Sequence, residues 1–169
     1  MTRRVVIADA GPLIALARID AIHLLRELFS RVFITTTVRD EILPAGAVFV
    51  EGGLLISTLA EGWIDVVEVP TSDFTPINPG VDAGEASSIH FAKHQCDAGE
   101  AVLIVMDDRA GRLEAKRLGL EFIGSAAVIG LAKTEGLVPA ARPLLEQIVA
   151  SGYFIGPSVV SAVLVSVNE

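Results

Sequence analysis

The sequence has little cysteine: Cys96 is the only one in 169 residues. A single cysteine cannot form an internal disulfide, and zinc sites built on several thiolates are excluded. This scarcity agrees with a reducing compartment. With 51% hydrophobic residues the chain is long enough to bury a core, and its length predicts a single domain over residues 1–169.

Long hydrophobic runs are also missing, although the mean hydropathy of +0.57 is high. No apolar run approaches the roughly 18 residues that a membrane span needs. Two arginines near the start precede an apolar stretch, but Asp9 interrupts it and no signal-peptide cleavage pattern follows. We therefore expect a cytoplasmic protein without a membrane segment. The excess of apolar residues favours a buried parallel sheet or a self-association surface, so we expect a homodimer or a partner protein.

Positive charge is scarce, because 13 Lys and Arg face 21 Asp and Glu, which gives a net charge of −8. Nucleic-acid-binding proteins usually carry a basic surface, so this balance argues against tight, unassisted binding of RNA. It does not argue against metal-dependent phosphate chemistry, because carboxylates that hold divalent cations contribute negative charge themselves. The GxSxG, Walker A and GxGxxG motifs are absent, which removes the main support for serine hydrolases and nucleotide-binding enzymes.

Strand-like runs alternate with segments of helical apolar spacing. The strand-like runs are RRVVIAD, RVFIT, GWIDVVEV, AVLIVMD and LEFIG. This alternation predicts an α/β fold with a central parallel sheet of about five strands and helices on both faces. The proline-rich segment VPTSDFTPINPGV is expected to be a surface connection, followed by a helix that Asp82 caps.

Four carboxylates stand where such a sheet would form a crevice. Asp9 ends the first strand and Asp107 the fourth, and these strands are neighbours in a sheet of order 3-2-1-4-5. Ligands of open α/β sheets bind outside the carboxyl ends of the strands. Glu41 follows the second strand and Glu85 lies in the first turn of the helix before the fourth. Such a cup suits Mg²⁺ or Mn²⁺ and predicts hydrolysis of phosphodiesters.

Each of these residues also has a simpler interpretation. Asp108 is expected first as a helix cap and only second as a metal neighbour. Asp9 could cap the helix that follows it, but an aspartate ending a buried first strand favours an active-site role. Glu41 alone would be a solvated helix residue, and Glu85 alone a partner of the helix dipole. Their functional value rests on the constellation.

A basic stretch follows the acidic pair. Arg109 and Arg112 share one face of a predicted helix, so they either contact phosphate or lie on a solvated face balanced by Glu114. Lys133 is a weaker candidate for phosphate contact. His90 and His94 are four residues apart, but the residue after the first is not the glutamate of zinc proteases, so surface or half-buried positions are expected.

Four segments together resemble the PIN domain: VVIADAGPLIALARI, TTTVRDEIL, DAGEASSIHFAK and VLIVMDDRAGRLEAKRLGLEFIGSAAVIGLAKTEG. More narrowly, they look like the PIN-like subgroup described as nucleic-acid-binding proteins and often found beside small antitoxin-like proteins. Each motif is weak alone. The four occur in the right order with the right spacing, and they cover nearly the whole chain.

The resemblance implies a three-layer PIN-like fold with sheet order 3-2-1-4-5, dependence on Mg²⁺ or Mn²⁺, and cleavage of single-stranded RNA, as in VapC-like toxins with a small antitoxin partner. By position, Asp9 matches the first acidic residue of the family, Glu41 the second and Glu85 the third. Asp107 or Asp108 matches the fourth. The resemblance thus implies catalysis by Asp9, Glu41, Glu85 and Asp107, metal binding by Asp9, Glu85, Asp107 and Asp108, and RNA contacts by Arg109, Arg112 and Lys133.

The sequence departs from the family in two places. Many members carry Thr or Ser after the first aspartate, where this chain has Ala10 and Gly11, so a supporting hydroxyl is missing. The longer connection HQCDAGE makes Glu100 an alternative to Glu85, although the helical continuation favours Glu85. A catalytically silent PIN-like module that binds RNA or a protein is the second hypothesis. A phosphatase of the haloacid-dehalogenase type ranks third, because it would need an aspartate where Gly11 stands.

Overall fold

Five short strands form at the apolar runs of the sequence. The structure is a computed structural model that describes residues 4–45, 51–70 and 74–169. The strands are β1 (Val5–Ala8), β2 (Val32–Thr35), β3 (Ile64–Val67), β4 (Val102–Val105) and β5 (Phe122–Ile123). Their Val, Ile and Leu content suits strands that are covered on both faces.

Helices connect and follow these strands. Within the described ranges they are α1 (Ala10–Arg18), α2 (His23–Phe29), α3 (Thr36–Ile42), α4 (Gly52–Ala60), α5 (Ala83–Asp97), α6 (Arg109–Arg117), α7 (Ser125–Thr134), α8 (Arg142–Ala150) and α9 (Pro157–Ser166). No helix in these ranges is long and apolar enough to cross a membrane. Part of the predicted proline-rich connection, residues 71–73, lies outside the described residues.

The sheet is fully parallel and has the order β3-β2-β1-β4-β5. In the central pair, Val5 lies opposite Val102 and Ala8 opposite Val105. Both strands therefore end at the same level, and the residues that follow them meet at one edge. The predicted strand order and parallel direction are confirmed.

Two apolar cores cover the two faces of the sheet. In β1, Val6 and Ala8 belong to the larger core, while Ile7 points into the smaller one. The larger core includes residues of α1, α2, α7 and α8, and the smaller one residues of α5 and α6. The predicted three-layer α/β fold is therefore confirmed. This packing fixes both central strands from either side, so the edge that carries the acidic residues rests on a rigid support.

Candidate active site

Asp9 directly follows β1, where its N–H donates to the carbonyl oxygen of Val105 at 2.9 Å. Its side chain makes no capping hydrogen bond to α1. Only 6% of the residue is exposed, and its Oδ1 has no hydrogen-bond partner in the described part of the chain. Burial, followed by the charge of Glu85, raises the pKa of Asp9 from 3.8 to about 8. A buried carboxylate oxygen without a donor is costly, so this group needs a proton or a cation.

The start of α5 brings Glu85 to the same edge. The N–H of Glu85 donates to Asp82 Oδ1 at 2.9 Å, and the N–H of Asp82 donates to Glu85 Oε2 at 3.0 Å. This reciprocal capping box holds the Glu85 side chain in one orientation. Glu85 is only 5% exposed, and burial raises its pKa to about 7. Two carboxylates with raised pKa values therefore stand together at the carboxyl edge.

Glu41 reaches the cluster from α3. Its carboxylate lies against the backbone of α5: a methyl group added at Gly84 would lie 2.4 Å from Glu41 Oε1. Burial and then the charge of Asp82 raise the pKa of Glu41, while the N–H of Gly84 opposes this rise. The charges of Glu41 and Asp82 also act on Asp9. Asp82, which the sequence predicted only as a cap, is therefore a further carboxylate of the cluster.

Asp107 is half-buried and turned toward α7 and the segment that precedes α9. Its Oδ1 accepts a hydrogen bond from the N–H of Ser125 at 2.8 Å. Its Oδ2 accepts from Ser125 Oγ at 2.8 Å and from Tyr153 Oη at 2.7 Å. Burial is the largest of the effects that raise the pKa of Tyr153 above its usual 10. The charge of Asp107, the hydrogen bond to Asp107 and the charge of Asp9 follow in that order. The phenol therefore stays a proton donor, and it links Asp107 to the surroundings of Asp9.

Asp108 takes a different direction from its neighbour. Its Oδ2 accepts hydrogen bonds from the N–H of Ala110 at 2.7 Å and of Gly111 at 3.1 Å, so Asp108 caps α6 as the sequence predicted. It also interacts with Glu85, whose pKa its charge helps to raise. Of the two consecutive acids, Asp108 thus joins the Glu85 side of the cluster and Asp107 the Tyr153 side.

Glycines allow the acidic side chains to lie directly on the backbone. A methyl group added at Gly124 would lie 2.6 Å from Asp107 Oδ1, and one added at Gly11 would lie 2.7 Å from Tyr153 Oη. Gly84 has the same relation to Glu41. At these three positions any other residue would displace a side chain of the site. The site therefore depends on close approach to the backbone as well as on the acids themselves.

The donor set fits a hard divalent cation. All the candidate ligands are carboxylate oxygens, the type that Mg²⁺ and Mn²⁺ prefer, and the unpartnered Oδ1 of Asp9 is a buried acceptor that a cation would satisfy. The other carboxylates are held by protein donors. In residues 4–45, 51–70 and 74–169, no three Asp, Glu, His or Cys side chains form a ready-made ligand group. Metal binding would therefore draw neighbouring carboxylates toward Asp9.

The predicted basic residues fall in two places. Arg109 and Arg112 lie in the first turn of α6, next to the acidic pair. The Arg112 guanidinium lies 5.0 Å from the centre of the Phe122 ring, and its Nε has no hydrogen-bond partner among the described residues. Lys133 lies at the far end of α7, where its Nζ donates to the carbonyl oxygen of Pro139 at 2.5 Å. The structure thus places the arginines, but not Lys133, beside the carboxylates.

The other sequence candidates lie away from the cluster. Glu100 precedes β4 at the opposite edge of the sheet, where the N–H of Val5 bonds the neighbouring Ala101 carbonyl at 2.8 Å. His90 is half-buried and stacks on Phe74 with ring centres 5.5 Å apart, whereas His94 is exposed. These positions agree with the surface or half-buried positions expected for the histidines.

Sequence reasoning missed three contributors to this edge. Tyr153 is the only tyrosine of the chain and follows Gly152, but no local pattern connects it with Asp107. Ser125 follows Gly124, the N-cap of α7, and bonds Asp107 through both N–H and Oγ. No local pattern connects Arg18 with this edge either, although its guanidinium donates to the carbonyl oxygen of Ser151 at 3.4 Å, two residues before Tyr153.

A three-layer α/β fold with this strand order and acidic side chains at the carboxyl edge defines the PIN class of proteins. The family DUF3368, described as a PIN domain, matches residues 5–169, and the chain belongs to this family. Among solved structures, the chain is similar to a PilT N-terminus domain protein, SSO1118, from the hyperthermophilic archaeon Sulfolobus solfataricus P2. The TM-score is 0.51 and the identity 16%, over 73% of this chain and 88% of that one. This likeness shows the shared fold.

No curated protein matches the chain. Membership in the PIN superfamily nevertheless indicates a general class of activity, because PIN domains are commonly nucleases and typically use divalent metal ions.

Proposed function

We propose that this protein is a metal-dependent endoribonuclease that hydrolyses phosphodiester bonds of single-stranded RNA. The observation that carries the proposal is Asp9, which is buried, has an unpartnered Oδ1 and is surrounded by the charges of Glu85, Asp82 and Glu41. Such a group of like charges is stabilised at neutral pH by a bound cation. Its location at the carboxyl edge of two neighbouring strands is where α/β folds bind ligands.

The carboxylates would have different roles at the metal site. Asp9, Glu85, Asp107 and Asp108 would hold Mg²⁺ or Mn²⁺, and Glu41 would complete the acidic rim. When bound, the ion supplies positive charge at the phosphate and lowers the pKa of a coordinated water. Ser125 and Tyr153 keep Asp107 in one orientation, because together they donate three hydrogen bonds to it.

The substrate phosphates need cationic contacts in an otherwise acidic region. Arg109 and Arg112 begin α6 next to Asp108, so they are placed to contact non-bridging phosphate oxygens. In the reaction a water oxygen bonds to phosphorus, and the bond from phosphorus to one ribose oxygen breaks. That ribose oxygen takes a proton. The products are a phosphate monoester and a free hydroxyl.

The direct test is cleavage of a mixed-sequence single-stranded RNA by the purified protein with Mn²⁺, with EDTA and with the Asp9→Asn variant. Asp40→Asn is the matched control, because the Asp40 side chain is 67% exposed and pairs with Arg39. We expect Mn²⁺-dependent cleavage that EDTA and Asp9→Asn abolish and Asp40→Asn preserves. A folded, metal-loaded protein that leaves diverse RNAs intact would rule out the nuclease.

A second candidate is a catalytically silent PIN module that binds RNA or a protein. The observation in its favour is that protein donors already engage Glu85, Asp107 and Asp108. The net charge of −8 also opposes unassisted binding of RNA. This candidate predicts no turnover with Mn²⁺, so the same cleavage experiment separates it from the nuclease.

We propose that the protein is the toxin of a toxin-antitoxin pair and that it forms a homodimer. Its exposed apolar side chains support a protein interface: Val165 is 75% exposed and Ile77 is 71% exposed. Light scattering of the purified chain measures the oligomer. A monomer at micromolar concentration would exclude the stable dimer.

A further inference from the structure

A cavity of about 250 Å³ opens directly beside Asp107. Its walls come from α7, from α9 and from the segment between α8 and α9, and they include Ala127, Phe154 and Val163. Arg112 and Asp107 also line the cavity. The cavity therefore combines apolar walls with one acidic and one basic side chain at the candidate active site.

We propose that this cavity binds one nucleobase of single-stranded RNA, next to the phosphate that is cleaved. The inference rests on the proposed nuclease function and specifies how that site holds its substrate. Arg112 would contact a phosphate at the mouth of the cavity, Phe154 would stack on the base, and the walls from α7 and α9 would enclose it.

The size of the cavity suits one base. Sites for drug-sized ligands enclose about 300–1,000 Å³, so 250 Å³ is suited to a smaller, single planar group. The side chains of Ala127 and Val163 offer no hydrogen-bonding groups that would go unpaired against a flat apolar face. A base has such a face whatever its identity, so this contact tolerates different sequences.

Phe154 supplies a stacking surface at a fixed place. It is 83% exposed, so most of its ring has no packing role in the fold. The preceding residue, Tyr153, donates its hydroxyl hydrogen to Asp107 Oδ2 at 2.7 Å. Because neighbouring Cα atoms are about 3.8 Å apart, this bond keeps Phe154 close to the carboxylate edge. An exposed aromatic ring held next to a candidate metal ligand is the arrangement that stacks a base near a reacting phosphate.

Arg112 supplies the charge that an RNA backbone requires. Among the described residues no carboxylate lies within salt-bridge distance of its guanidinium, and its Nε has no hydrogen-bond partner. The ring of Phe122 holds the guanidinium from one side at 5.0 Å. A positioned cation without a carboxylate partner matches a phosphate group. This charge favours RNA over an apolar protein segment as the occupant.

The experiment compares RNA hexamers with and without bases, using fluorescence anisotropy in EDTA. All variants carry Asp9→Asn, which blocks cleavage. We expect a uridine hexamer to bind about ten-fold more tightly than an abasic ribose-phosphate hexamer of the same length. Phe154→Ala and Ala127→Leu should remove this difference, the first by deleting the stacking ring and the second by filling the cavity.

Arg112→Gln should weaken the binding of both hexamers by the same factor, because it removes a phosphate contact rather than a base contact. Lys116→Gln is its matched control, since Lys116 is exposed on the same helix and does not line the cavity. Ile56→Ala, at a residue 60% exposed on α4, is the control for loss of an exposed apolar side chain. Neither control should change the binding of either hexamer.

Three results would overturn the inference in different ways. If the unmodified protein cleaves RNA with Mn²⁺ but Phe154→Ala and Ala127→Leu leave the base-dependent difference intact, the cavity is not a base site and the nuclease function still stands. If these two variants change only the self-association or partner binding of the protein, the cavity is a protein interface. Absence of both cleavage and RNA binding rejects the base site together with the proposed function.

Discussion

At the scale of single residues, Asp9 combines two properties that rarely coexist in a stable fold. It is buried, and its Oδ1 has no donor among the described residues. Its pKa is raised to about 8, so the folded protein holds a proton there that the unfolded chain releases near pH 4. The stabilising effect of that proton is complete below pH 4 and is lost as the pH rises toward 8.

The first prediction concerns the loss of stability with rising pH that Asp9 causes. In EDTA, Asp9→Asn should raise the melting temperature relative to the unmodified protein, and the gain should grow between pH 5 and pH 9, because asparagine has no charge to bury. Differential scanning fluorimetry at several pH values measures this. Asp40→Asn, at an exposed position, should give no such trend. A constant difference between Asp9→Asn and the unmodified protein at all pH values would contradict the raised pKa.

The second prediction concerns Gly124, which has no side chain. Gly124→Ala should move Asp107, because the new methyl group would lie 2.6 Å from Asp107 Oδ1. We expect Mn²⁺-dependent RNA cleavage to fall at least ten-fold while circular dichroism shows a folded protein. The backbone φ of −100° at Gly124 suits alanine, so conformational strain is not the cause.

Gly53→Ala is the control for the second prediction. An added methyl group meets nothing within 4 Å there, and Gly53 lies inside α4. Alanine should stabilise this helix by about 0.5–1 kcal/mol and leave activity unchanged. If Gly124→Ala were equally harmless, Asp107 would not need its present position.

At the scale of elements, the start of α5 both begins a helix and positions Glu85. The third prediction tests how much the capping side chain of Asp82 contributes to the free energy of unfolding. Asp82→Ala should lower the free energy of unfolding by about 1 kcal/mol, because it removes the cap, whereas Asp82→Asn keeps a capping side chain. Urea unfolding in EDTA measures both. If the two variants were equally stable, the capping hydrogen bond to Glu85 N–H would contribute little.

The strands, and most of the acidic residues, could be predicted from the sequence because their signals are local. A run such as AVLIVMD shows a buried strand, and the acid that ends it marks the edge of the sheet. The capping pattern of Asp82 and Glu85 is equally local. Contacts between distant elements gave no such signal: Tyr153 and Asp107 are 46 residues apart, and their hydrogen bond depends on how α8 and α9 fold back.

Consecutive residues also limited the prediction of the site. Asp107 and Asp108 are consecutive residues of the same type, so the sequence left the fourth acidic position open between them. In the structure they turn apart, because Asp108 accepts from the N–H groups at the start of α6 while Asp107 accepts from Ser125 and Tyr153. Packing and hydrogen bonding beyond the end of β4 determine the directions of these two side chains.

At the scale of the whole molecule, a net charge of −8 means that RNA is attracted only locally. The fourth prediction is a weak dependence of RNA binding on salt. If Arg109 and Arg112 are the two phosphate contacts, the logarithm of the association constant should fall with the logarithm of salt concentration with a slope of about −1.4, and Arg112→Gln should reduce it to about −0.7. A slope several times steeper would point to a larger basic surface. Anisotropy titrations in increasing KCl, with the Asp9→Asn protein and EDTA, measure it.

The fifth prediction concerns the cation itself. A metal that binds only the folded protein raises its stability by mass action. Mn²⁺ should therefore raise the melting temperature, more at pH 8.5 than at pH 5.5, because at low pH it competes with protons on Asp9 and Glu85. Asp9→Asn should remove most of this gain. Equal gains with Asp9→Asn would place the metal elsewhere.

The bond between Tyr153 and Asp107 also determines how the molecule opens. The segment after α8 is joined to the sheet edge by this bond, and Arg18 joins it to α1 through the Ser151 carbonyl. Detaching that segment would remove one of the three hydrogen bonds that hold Asp107, so local opening of the segment would loosen the site as well. Amide hydrogen exchange would then show α9, which is distant in sequence from the acidic residues of the site, protected to a similar degree as the residues that follow β4.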